Sequence, residues 1–68
     1  MSDVDRVRRI RVTMLDGESF ILDVWRQRIS GVTGEHRELL GADESIVAIQ
    51  LKDAGAQFAD VTDHGGTV

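Results

Sequence analysis

The side chains of this chain that could do chemistry are few and scattered. His36 lies between Glu35 and Glu38, and His64 follows Asp63, so each imidazole has a carboxylate close in sequence, the pairing from which a general base is built. A base also needs a pocket and a positioned partner, which sequence spacing does not supply, and both histidines are expected at the surface. There is no cysteine and no tyrosine. That removes disulfides, thiolate zinc sites and a thiol nucleophile, and two histidines do not make a structural metal centre unless the fold brings carboxylates to them. No catalytic, metal-ligating or cofactor-binding residue is assigned, and no cofactor or small-molecule substrate is expected. Two features remain: an arginine run and a single tryptophan, Trp25.

The run Arg6, Arg8, Arg9 and Arg11, extended by Arg26 and Arg28, is where a phosphate backbone would bind. Its surroundings argue against that use. Residues 1–37 hold seven arginines against six acids, a net +1, and residues 38–68 hold one lysine against six acids, a net −5. Asp3, Asp5 and Asp23 offset much of the run, and no second exposed aromatic is in view to stack bases. A solvated arginine face is the simpler expectation, with nucleic-acid binding through these six arginines as the alternative.

The elements that must position these residues start with a β-hairpin over residues 8–25. Ile10, Val12 and Met14 alternate with Arg9, Arg11 and Thr13, and Phe20, Leu22 and Val24 alternate with Ser19, Ile21 and Asp23. A two-residue Asp16-Gly17 turn would set Val12 against Ile21 and Ile10 against Asp23, mixing the faces. A three-residue loop of Leu15, Asp16 and Gly17, a type I turn closed by a left-handed glycine and a G1 bulge, pairs Met14 with Glu18, Val12 with Phe20 and Ile10 with Leu22. Both apolar rows then share one face. The other face sets Arg9 opposite Asp23, Arg11 opposite Ile21 and Val7 opposite Trp25, giving a cross-strand ion pair and an aromatic pair.

Beyond the hairpin the periodicity weakens. Residues 26–45 have two readings: the second strand runs on through Arg28, bends at Ser30-Gly31 and forms a hairpin of 29–33 with 37–40, or a short helix is capped at Thr33 and ends at Gly41. Residues 45–51, SIVAIQL, are apolar on both faces and predict a second strong strand in a central or inter-sheet position. Residues 52–55 then turn the chain, and 56–62 make a last strand anchored by Phe58. Residues 1–6 are expected to be a flexible lead-in, 7–62 a single β-rich domain and 63–68 a flexible tail. The fold class expected is mainly β, a small barrel or roll of four to five strands on two hairpins, with one short helix near 33–40 as an option.

Two fold families bear comparison at this point. The segment IRVTMLDGESFILDV resembles the opening hairpin of ubiquitin-like β-grasp domains, and Gly65-Gly66 resembles their diglycine ends. That resemblance implies an α+β fold with a long helix straight after the hairpin, where this chain has Gly31, Gly34 and Gly41. A strand pair, a short irregular piece and then ADESIVAIQL resembles small SH3-like or Sm-like barrels, which implies a late strand closing the sheet and assigns no activity.

Sixty-eight residues make one domain whose apolar core barely exceeds its conformational entropy, and no disulfide or metal is available as a staple. Self-association or docking on a larger protein is therefore the expected source of added stability. No apolar run approaches the roughly 20 residues of a membrane span, and MSDVDR lacks the layout of a secretory signal. A cytoplasmic setting follows, or a virion-associated one if a phage encodes the chain; seven arginines among eight basic residues resemble a high-GC bacterial composition. The function expected is a non-enzymatic protein-interaction or assembly module, binding itself or a larger complex. It would use a strand edge or a face of Arg9, Arg11, Ile21 and Trp25, unless the middle segment or the last strand covers that face.

Overall fold

A computed structural model describes residues 6–62. The expected lead-in, apart from Arg6, and the expected tail with His64 and Gly65-Gly66 lie outside the described residues. In chain order come β1 (Arg8–Thr13), β2 (Ser19–Trp25), β3 (Arg28–Val32), a single 3₁₀ turn at Arg37–Leu39, α1 (Glu44–Asp53) and β4 (Gln57–Asp60). The strands form one antiparallel sheet in the order β3-β2-β1-β4.

The first hairpin has the three-residue loop and the register that its apolar rows require. Val12 lies opposite Phe20, Ile10 opposite Leu22, Arg11 opposite Ile21 and Arg9 opposite Asp23. Gly17, at φ 92°, takes the left-handed position that a side chain would strain. Its N–H donates to the Met14 carbonyl at 2.9 Å, and the Met14 N–H donates to the Glu18 carbonyl at 2.7 Å. The ladder begins at Arg8 and Val24, so the expected Val7–Trp25 pair falls one step outside it.

After Trp25 the chain departs from expectation. The second strand does not run on through Arg28; it stops at Trp25, and Arg26 and Gln27 turn the chain with φ of 53° and 69°. Two consecutive left-handed residues make the tight turn that suits twisted strands, and neither is a glycine, asparagine or aspartate that would have announced it. β3 then pairs with β2, with Ser30 as an extra residue: Val24 faces Ile29 while Asp23 faces Gly31. The Ser30 hydroxyl donates to the Asp23 carbonyl at 3.2 Å. Each reading of the middle segment is half realised, the first as the strand at 28–32 without its 37–40 partner, the second as one 3₁₀ turn in place of a helix.

The larger correction is at SIVAIQL, which is helix and not strand. Asp43 caps it, its carboxylate accepting from the Ser45 N–H at 2.8 Å, with Glu44 in the first turn and Lys52 in the last, each complementing the helix dipole. At the far end the Ala56 N–H donates to the Leu51 carbonyl and the Gly55 N–H to the Lys52 carbonyl, a Schellman closure through Gly55 at φ 87°. Val47 is buried and Leu51 packs on the core, while Ile46 and Ile49 are 56% and 61% exposed on the opposite side. A helix that is apolar on both sides has the same one-dimensional pattern as a buried strand.

These ends carry two expected outcomes. Asp43→Ala should cost about 1 kcal/mol, read as a lower urea midpoint at unchanged slope. Gly55→Ala should cost a similar amount, about 1 kcal/mol, for placing a side chain in left-handed backbone. The added Cβ would also meet Leu15 at 2.5 Å, though that exposed leucine can swing aside. An unchanged or raised midpoint in either variant would contradict the capping assignment.

With residues 44–53 helical, the expected second hairpin does not exist. β4 lands beside β1, with Phe58 opposite Val12 and Ala59 opposite Arg11. Val12, Phe20, Leu22, Val24 and Ile29 project from one face of the sheet and meet Val47 of α1 and Ala56 to form the core. The domain is therefore mainly β, a four-stranded sheet backed by one short helix. Of the barrel or roll expected, the closed barrel is not seen and the sheet is open: β3 and β4 are its two edges, and no ladder joins them among the described residues.

Candidate interaction surface

The period of two that builds the core also decides what lies on the reverse of the sheet. Since the even positions of β1 and β2 face α1, the odd positions face away, and Arg9, Arg11, Ile21 and Trp25 come together there. Arg11 sits between Ile21 on β2 and Ala59 on β4. Next to it the Arg9 Nε donates to the Asp23 carboxylate at 3.0 Å, and one residue pair further along β2 stands Trp25. The Arg26 guanidinium lies 4.6 Å from the centre of the Trp25 ring. At an exposed site such a contact contributes about 0.5–1 kcal/mol, and the Arg9–Asp23 pair contributes about 0–1 kcal/mol, so these contacts orient the groups more than they stabilise the fold.

Nothing covers this face among the described residues. Helix α1 packs on the other face through Val47 and Leu51; Leu39 joins the same core from the 3₁₀ turn, and the His36 ring stacks on Phe20 with centroids 4.1 Å apart. The long connection from β3 to β4 thus lies with the core through Leu39, Ala42, Val47 and Leu51, and Trp25 remains 40% exposed. Neither the middle segment nor the last strand folds over it.

The six arginines of the nucleic-acid alternative do not share a surface. Arg9 and Arg11 are on the bare face, whereas Arg8 projects to the helix side and pairs with Glu44. Arg26 leans on Trp25, the Arg28 guanidinium reaches the Gly41 carbonyl at 3.5 Å, and Arg6 is exposed ahead of β1. His36, expected at the surface, is instead 25% exposed on its side chain, with Nε2 3.5 Å from the Glu18 carboxylate and no hydrogen bond to it. It covers Phe20. Among the described residues no three histidine or carboxylate side chains gather as metal ligands.

Sequence reasoning missed two further features. A shallow apolar cleft of about 90 Å³ opens between α1 and the sheet, lined by Ile10, Val24, Val47 and Phe58 with Glu44 at its rim. That is well short of the roughly 300 Å³ at which ligand pockets begin. The second feature is the inequality of the two sheet edges. Segment 41–44 covers β3: the Ile29 N–H donates to the Ala42 carbonyl, the Gly41 N–H to the Ile29 carbonyl and the Glu44 N–H to the Gln27 carbonyl. No such segment lies along β4 among the described residues. Only the placement of β4 beside β1 creates that edge, and no local sequence signal announces it.

The geometry defines a class: a small antiparallel sheet backed on one face by a short helix, with no segment over its other face among the described residues. No family model, no curated protein and no solved structure matches the chain. No helix among the described residues is long and apolar enough to cross a membrane.

Proposed function

We propose that the protein is a non-enzymatic interaction or assembly module, working in the cytoplasm or as part of a phage particle, whose contact surface is the bare face of the sheet. One observation carries the reading: among the described residues the covering segments 37–53 pack on the core side, and Trp25 is 40% exposed on the face of Arg9, Arg11 and Ile21. Tryptophan and arginine are the residues that most often dominate binding energy, and strands hold them in fixed geometry. The flanking Arg9–Asp23 pair supplies a polar rim, which sets orientation more than affinity. The partner is protein, a second copy or a larger assembly. The reading does not require the SH3-like or Sm-like barrel, since the contact surface is a sheet face and not a barrel mouth.

Trp25 is the sole tryptophan and so reports on its own face. As the protein binds, its emission should move to shorter wavelength and its quenching by acrylamide should fall, with little change between low and high salt. An unchanged Trp25 signal would overturn this reading. If in addition single-stranded DNA or RNA bound with an affinity falling steeply with salt, the arginine alternative would replace it.

A further inference from the structure

We infer that the outer side of α1 in one copy seats on the Trp25 face of the sheet in the next, so that copies of the chain join head to tail. The inference rests on the reading of that face as the contact surface and names its occupant.

A helix that is apolar all round is normally buried all round. Val47 and Leu51 turn one side of α1 to its own core, while the exposed Ile46 and Ile49 turn the other side away from it. Neither isoleucine helps the helix form, since β-branched side chains lose rotamer freedom there. Asp53 stands on the same outer stripe, seven residues after Ile46 and four after Ile49. Its carboxylate is in the last turn, where the helix dipole disfavours negative charge, and no cation pairs with it among the described residues. The outer side of α1 is thus an apolar pair followed by an uncompensated acid.

The sheet face offers the matching set. Trp25 is exposed, and four residues back along β2 lies Ile21, opposite Arg11. Arg9 is held by Asp23 and Arg28 reaches the Gly41 carbonyl, whereas Arg11 is exposed and has no ion pair among the described residues. Ile46 and Asp53 are about 10 Å apart along the helix, and Trp25 and the Arg11–Ile21 pair about 13 Å apart along the strand, a difference that the long arginine side chain spans. With Ile46 on the indole, Asp53 reaches Arg11 and Ile49 lies between them. Helix on sheet is also the layering that closes the core on the other face. The two surfaces lie on opposite sides of one molecule, so the contact is heterologous: it cannot close between two copies and leads to a chain or a ring. One ten-residue helix makes a small interface, so assembly grows with concentration, and because the isoleucines and the indole carry it, salt changes it little.

The test measures solution mass from roughly 10 μM to 1 mM, the range in which an interface of this size associates. The wild type should pass beyond two copies, with its Trp25 emission moving to shorter wavelength as it does. Ile49→Lys and Trp25→Ala should each remain monomeric with little change in urea midpoint. Mixed in equal amounts they should form a dimer and nothing larger, because each supplies the surface the other lacks. Arg11→Asp and Asp53→Arg should each weaken assembly about twofold to fivefold, and the double variant should recover it. A monomer throughout, a wild type that stops at two copies, a mixture that stays monomeric, or a double variant no better than the single ones would overturn the inference. An association lost in Trp25→Ala and kept in Ile49→Lys would overturn α1 as the occupant and leave the face reading standing.

Discussion

Phe20→Ala is expected to leave the chain largely unfolded at 25 °C. Phe20 is buried at the centre of the helix-facing side of β2, directly opposite Val12, and the His36 ring closes over it at 4.1 Å. Removing a buried phenylalanine costs about 3–5 kcal/mol, part from lost transfer energy and part from the cavity left behind. A core of this size supplies a net stability of only about 3–5 kcal/mol, so the loss is comparable to everything the fold has. There is no disulfide to hold the remainder. Far-UV circular dichroism and the dispersion of amide resonances would report the collapse. A cooperative transition displaced by less than 1 kcal/mol would mean that the core is not where the sheet and helix place it.

Trp25→Ala is expected to do the opposite: leave the fold in place and remove binding. Trp25 is on the face away from Val12, Leu22 and Val47, and its loss opens no cavity in the core. The urea midpoint should correspond to a change within about 0.5 kcal/mol, as for surface substitutions. A tryptophan at the centre of a contact contributes about 2 kcal/mol or more, which is a loss of roughly 30-fold or more in affinity. Arg9→Ala should change binding far less, because the Arg9–Asp23 pair is solvent-exposed and its loss leaves no buried charge. Equal effects from the two substitutions would mean that charge, not the indole, carries recognition.

The contrast between these substitutions reflects what could be read from the residues alone. The hairpin was legible because two constraints met: the apolar rows had to share a face, and only the three-residue loop through Gly17 allowed it, with Arg9 and Asp23 then falling opposite one another. The grouping of Arg9, Arg11, Ile21 and Trp25 followed from the same alternation. Residues 44–53 were misread because Ile46, Val47 and Ile49 are β-branched and apolar all round, and tertiary packing outweighed that preference. The correcting signals were present at the ends, where Asp43 precedes Glu44 and Ser45, and Gly55 follows Lys52. The turn at Arg26-Gln27 had no such signal. Its left-handed residues are held by the pairing of β2 with β3. The exposure of the Trp25 face, the cover over the β3 edge and the placement of β4 beside β1 all depend on where distant segments land, which local pattern does not encode.

The proposed function requires that the uncovered sheet surface make protein contacts. Sedimentation of the wild type and of Trp25→Ala over a wide concentration range, at low and high salt, with Trp25 emission recorded on the same wild-type samples, tests it most directly. The predicted result is association that resists salt, with a blue-shifted Trp25 emission in the wild type and a weaker association in Trp25→Ala. A strict monomer at every concentration, with Trp25 emission unchanged, would contradict it.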